Sequence, residues 1–110
     1  MNPAGSFEVF FSGKMQDRVR RLLSLAVGHG CGPRVLVALN ILQYRLGIDP
    51  RTWGDPVCHY PAAEVMAHRV VHDELAVNYV VHDHRPQVWV TKIVPVLSHP
   101  LCGLDELDED

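Results

Sequence analysis

Three observations predict an α+β fold in which an N-terminal strand and a two-helix hairpin precede a three-stranded antiparallel meander, with the helices packed on one face of the sheet. Residues 68–96, HRVVHDELAVNYVVHDHRPQVWVTKIVPV, are β-branched and aromatic runs broken by His72-Asp73-Glu74 and His82-Asp83-His84-Arg85-Pro86. Met15, Val19, Leu22, Leu23 and Ala26 recur at helical spacing, and a second apolar run extends from Pro33 to Leu46. The first strand is expected to pair inside the same sheet, because a short strand is not stable alone.

In chain order, Phe7 to Ser12 is a short strand bounded by Gly5-Ser6 and Gly13, and Ser12 can cap the helix that follows. That helix is amphipathic, with Lys14, Arg18, Arg20 and Arg21 around its exposed surface, and it ends near Gly28. Three glycines in Gly28-His29-Gly30-Cys31-Gly32 interrupt helical propensity, and Pro33 suits the first turn of the next helix. Val35, Leu36, Val37, Leu39, Ile41, Leu42 and Leu46 exceed one apolar stripe, so the second helix is expected to be the more buried; Gly47 fits its C-terminal cap. Residues 48–64 hold three prolines without a clear period and read as an ordered loop or a linker within the domain, whose Trp53 and Tyr60 pack it onto the body.

If Asp73 and Glu74 make the first hairpin turn, Val71 faces Ala76, Arg69 faces Asn78, Ala67 faces Val80, Val70 faces Val77 and His68 faces Tyr79. One face then carries Met66, His68, Val70, Leu75, Val77, Tyr79 and Val81, continued by Trp89, Thr91 and Ile93 or by their neighbours, depending on the second turn. The set with Trp89 is taken as the inner one, since burying an indole is worth more than burying Lys92. The outer face gathers Arg69, Asn78 and Lys92 with Val71, Ala76, Val80, Val90 and Val94.

At 110 residues, 47% hydrophobic and 21% charged, the chain fits one globular domain, residues 1–104, followed by an acidic tail, residues 105–110. The tail holds five of the 13 acidic residues, which leaves eight against 10 Lys and Arg in the body and reads as disordered. That mild excess falls short of the concentrated basic face of a strong nucleic-acid binder. A solubilising role for the tail and one in covering a basic groove both stand. No apolar run reaches the length of a membrane span and no leader pattern opens the chain, so no membrane partner is expected and the location expected is cytoplasmic. Cys31, Cys58 and Cys102 are odd in number and widely spaced, which points to three reduced thiols and to no metal site or cofactor.

FEVFFSGKMQDRVRRLL, DPRTWGDP, HRVVHDELAVNYVV and QVWVTKIVPV, in that order over residues 7–96, resemble the RelE/ParE superfamily of type II toxins. The resemblance implies a small cytosolic α+β toxin that inhibits growth, either by cleaving mRNA on the ribosome or by acting on DNA gyrase, and that is neutralised by a cognate antitoxin. The cleaving branch is a metal-independent endoribonuclease that needs cations around the scissile phosphate. Arg69 falls on one expected cationic position, whereas Ala67, Ala76 and Val96 fall on others, and no tyrosine follows Tyr79. These departures fit a non-nucleolytic member better, and a non-catalytic interaction module of the same fold is the alternative.

Arg69, Lys92 and Asn78 are the candidate catalytic residues: an arginine to hold a phosphate or carboxylate bidentately, a lysine as point charge and an amide to donate or accept. The competing reading is an ordinary polar sheet face. For binding a partner or nucleic acid the candidates are Arg69, Val71, Asn78, Val80 and Lys92, with Arg18 and Arg21 on the first helix. The apolar company of the sheet residues favours partner binding, since a free monomer seldom exposes so much, and an antitoxin segment or a second copy in a homodimer would cover it. His68 is either a general acid/base or a structural residue bonded to Tyr79 or a backbone carbonyl, and its inward parity favours the second. His72 lies too far from His82 and His84 to share a metal with them, and those two read as solvated turn residues.

Overall fold

In the computed structural model, residues 6–72 and 75–95 are described; the Asp73-Glu74 turn, Val96, Cys102 and the acidic tail lie outside them. β1 (Glu8–Phe11) leads into α1 (Gly13–Gly28), where the Ser12 side chain accepts the Met15 N–H at 3.1 Å and caps the helix as expected. α2 spans Gly32–Ile48 with Pro33 in its first turn. It runs through Gly47, and the cap falls on Asp49; the Gly47 carbonyl instead accepts the Phe7 N–H at 2.8 Å, tying the helix to the entrance of β1.

The segment 48–64 is not a loop. It forms a single helical turn, α3 (Pro50–Trp53), and a strand, β2 (Asp55–Tyr60), before β3 (Val65–His72), β4 (Leu75–His82) and β5 (Gln87–Pro95). Its prolines hide the strand from propensity, yet they are tolerated because β2 is an edge strand, where a missing N–H costs the ladder nothing on its open side. The sheet is five-stranded and mixed, in the order β1-β5-β4-β3-β2, with β1 parallel to β5 and all other pairs antiparallel.

The β3–β4 register is the expected one, including Arg69 opposite Asn78 and His68 opposite Tyr79. The β4–β5 register carries a correction. Asn78 pairs with Lys92 but Tyr79 pairs with Val90, so Thr91 is an extra residue in a bulge. Its hydroxyl donates to the Asn78 carbonyl at 3.0 Å where the ladder is interrupted. Beyond the bulge the alternation inverts: Val88, Val90 and Ile93 are buried, and Trp89, expected inside, lies on the outer face.

Met15, Leu22 and Ala26 of α1 and Val35, Ala38, Leu39, Leu42 and Leu46 of α2 form one core with Leu75, Val77, Tyr79, Val81, Val88, Val90 and Ile93, so both helices cover one face of the sheet. α2 supplies more of the core than α1, as expected. Its surplus apolar residues Leu36, Val37, Ile41, Tyr44 and Ile48 are nevertheless exposed.

Two side chains anchor the α3–β2 corner. The buried Tyr79 hydroxyl donates to the Pro50 carbonyl at 2.7 Å and accepts the Gly54 N–H at 2.9 Å. His68, also buried, stacks on the Tyr79 ring and donates from Nδ1 to the Gly54 carbonyl at 3.4 Å. A Cβ at Gly54 would sit 2.7 Å from the Tyr79 hydroxyl and 2.9 Å from the Arg69 carbonyl, so only glycine fits there. The structural reading of His68 therefore describes its surroundings.

Candidate functional site

The outer sheet face is organised in cross-strand rows. Asp55, Arg69, Asn78 and Lys92 stand opposite one another on β2, β3, β4 and β5, so the guanidinium and the ammonium share one side of the sheet. The next row is Cys58, Ala67, Val80, Trp89 and Phe10. Trp89 and Phe10 stack at 4.4 Å between ring centroids, and Trp89 keeps 43% of its surface exposed. Val57, Tyr60 and Val71 are exposed as well. A depression of about 410 Å³ lies between the rows, lined among others by Val57, Tyr60, Arg69, Asn78, Val80 and Thr91.

The strands generate this face by simple alternation, except at the two places where a bulge intervenes. Thr91 turns Trp89 outward, and an irregularity between Pro56 and Cys58 lets Val57 join the lining of the depression. The two bulges thus add an indole and an aliphatic side chain to a surface that alternation alone would leave smaller. Cys58 raises the Tyr60 phenol above its ordinary value, chiefly through a hydrogen bond between the side chains and secondarily through the thiolate charge.

Of the predicted binding residues, Arg69, Asn78, Lys92, Val71 and Val80 lie on this face. Val90 does not, and Ala76, although on the outer side by parity, is buried. Arg18 and Arg21 belong to α1, on the opposite side of the sheet. Arg18 is turned to the protein itself, its Nε donating to the Ile93 carbonyl at 3.2 Å. The structure therefore splits the predicted set into two surfaces. Phe10, Val57, Tyr60, Trp89 and Asp55 are additions that the sequence reading missed. The alternation in FEVFF placed Phe10 opposite in sense to Val9 and Phe11, which was the available signal; nothing in QVWVTKIV marks Thr91 as a bulge.

His59 and His82 are engaged locally. His59 Nε2 meets Asp83 Oδ2 at 2.8 Å, and His82 Nδ1 accepts the N–H groups of His84 and Arg85, closing the β4–β5 turn. Arg51 donates to the His82 carbonyl at 2.9 Å and lies over the Phe7 ring. Trp53 packs against the core and meets His72 edge-on, which bears out its expected packing role, whereas Tyr60 faces outward. Among the described residues no group of three or more His, Cys, Asp or Glu side chains is placed to hold a metal ion. No described helix is long and apolar enough to cross a membrane.

Compared with protein-family models, curated proteins and solved structures, the chain matches none.

Proposed function

We propose that this protein works by binding, through the outer face of its sheet, and that it is a RelE/ParE-like effector of the non-nucleolytic kind whose partner is an extended segment of a cognate antitoxin. The observation that carries this reading is the Trp89–Phe10 stack beside the Arg69–Asn78–Lys92 row, on a face that no described helix covers. Aromatic anchors next to an arginine are the usual energetic centre of a protein interface. A segment with apolar side chains for the depression and carboxylates for Arg69 and Lys92 has the chemistry this surface asks for.

The cation row alone supports a second reading, a nuclease holding a phosphate between Arg69 and Lys92. Against it stand Ala67 and Ala76 where the resembling nucleases carry cations, with Ala76 buried. Val96, the third such position, lies outside the described residues.

Induced expression in bacteria tests both readings. Arrest by the wild type with mRNA intact, which a co-expressed cognate antitoxin relieves for the wild type but not for Trp89→Ala, is the expected result. Arrest with mRNA cut within codons, abolished by the Arg69→Ala/Lys92→Ala pair, would establish the nuclease instead. No arrest from the wild type would remove the effector reading altogether.

A further inference from the structure

α2 carries a second apolar stripe that the fold does not use. Val37, Ile41, Tyr44 and Ile48 are three or four residues apart, so they line one side of the helix, and each is between 41 and 67% exposed. The core residues Val35, Leu39, Leu42 and Leu46 occupy the other side. A helix apolar on two faces has two surfaces to bury.

We infer that this stripe is the interface of a homodimer in which α2 packs antiparallel against α2 of a second copy about a twofold axis. The spacing of the stripe is symmetric about its midpoint. A twofold-related helix therefore sets Val37 against Ile48 and Ile41 against Tyr44 of the other copy, which is the self-complementarity an isologous contact needs. Helix packing at 8–10 Å brings such rows into contact. From their 41–67% exposure the four side chains present on the order of 400 Å² per protomer, about 800 Å² across the axis. The exposed Arg34 and Asn40 and the half-buried Arg45 flank them, and burying these side chains as well brings the total to at most roughly 1,200 Å², where specific interfaces begin. Because the stripe points away from the sheet, the dimer is back-to-back and leaves both outer sheet faces open.

Sedimentation equilibrium of the full chain over a dilution series tests it. A dimer with Kd of about 10 μM is mostly assembled by about 300 μM, so the mass should rise from 12.3 kDa toward twice that value. Ile41→Asp and Tyr44→Asp should stay monomeric at every concentration, while Trp89→Asp, on the opposite face, should dimerise like the wild type. A second measurement needs no variant: on dilution, NMR signals of Val37, Ile41, Tyr44 and Ile48 should shift while those of Tyr60 and Trp89 do not. A wild type that is monomeric at about 300 μM overturns the inference. So does a dimer that survives both stripe substitutions, or one that Trp89→Asp dissolves.

Discussion

Tyr79 shows how one side chain ties distant parts of this chain together. Its hydroxyl holds the carbonyl of Pro50 and the N–H of Gly54 from the middle of β4, and burial, together with the carboxylates of Asp49 and Asp55, pushes its pKa up to about 12 from 10. The folded state therefore keeps the phenol proton longer than the unfolded chain does. Stability from this group is complete below pH 10 and is lost as pH rises from 10 to about 12, a loss of about 2–3 kcal/mol. Urea titrations at pH 9 and 11.5 should show most of that loss, about 2 kcal/mol, in the wild type and a smaller one in Tyr79→Phe. The same corner makes Gly54→Ala costly, about 2–3 kcal/mol by overpacking, readable as a lowered urea midpoint. Glu64 is a contrasting case. It sits at φ 58 in the β2–β3 turn, where an L side chain is strained, so Glu64→Gly should raise stability, by about 0.5–1 kcal/mol. A lower thermal midpoint for Glu64→Gly would contradict that assignment.

At the scale of elements, the bulge in β5 decides what the outer face is made of. One inserted residue exchanges the sides of every position before it, so Trp89 lies outside and Val88 and Val90 lie inside. Deleting Thr91 should force Trp89 toward the core or unpair β5. The expected outcome is a loss of more than about 3 kcal/mol, with a changed near-UV signal from the indole; a variant of wild-type stability would show that the bulge is incidental. The expectation of an inward Trp89 rested on the larger transfer free energy of an indole. That term was outweighed because the inward positions are already filled by Val88, Val90 and Ile93 beneath the helices. β2 was missed for a different reason: its register is specified by its neighbour β3, and Pro56 and the irregularity at Val57 leave no period to read.

Across the whole molecule, two surfaces face opposite ways. The sheet presents aromatic rings with Arg69 and Lys92, and the helix layer presents the α2 stripe. If the stripe is an interface, association stabilises the fold by mass action. The thermal midpoint of the wild type should then rise with protein concentration while that of Ile41→Asp stays constant, and equal slopes for the two would separate stability from assembly. The binding residues proposed on α1 did not join those on the sheet, because residues that share a charge need not share a layer. Arg18 reaches the Ile93 carbonyl from the helix side while Lys92, the preceding residue, points to the other side.

By itself the sequence determined the element types with strong periodicity, the Ser12 cap and the β3–β4 register, with Arg69 opposite Asn78 on one face. All of these follow from near-neighbour sterics and from the two periods, 3.6 and 2, that a single segment carries. Only the tertiary structure decided that β2 exists, that β1 runs parallel to β5 and that Trp89 lies outside. Each of these depends on a partner strand or a bulge, and the free energy that selects it comes from contacts between segments far apart in the chain.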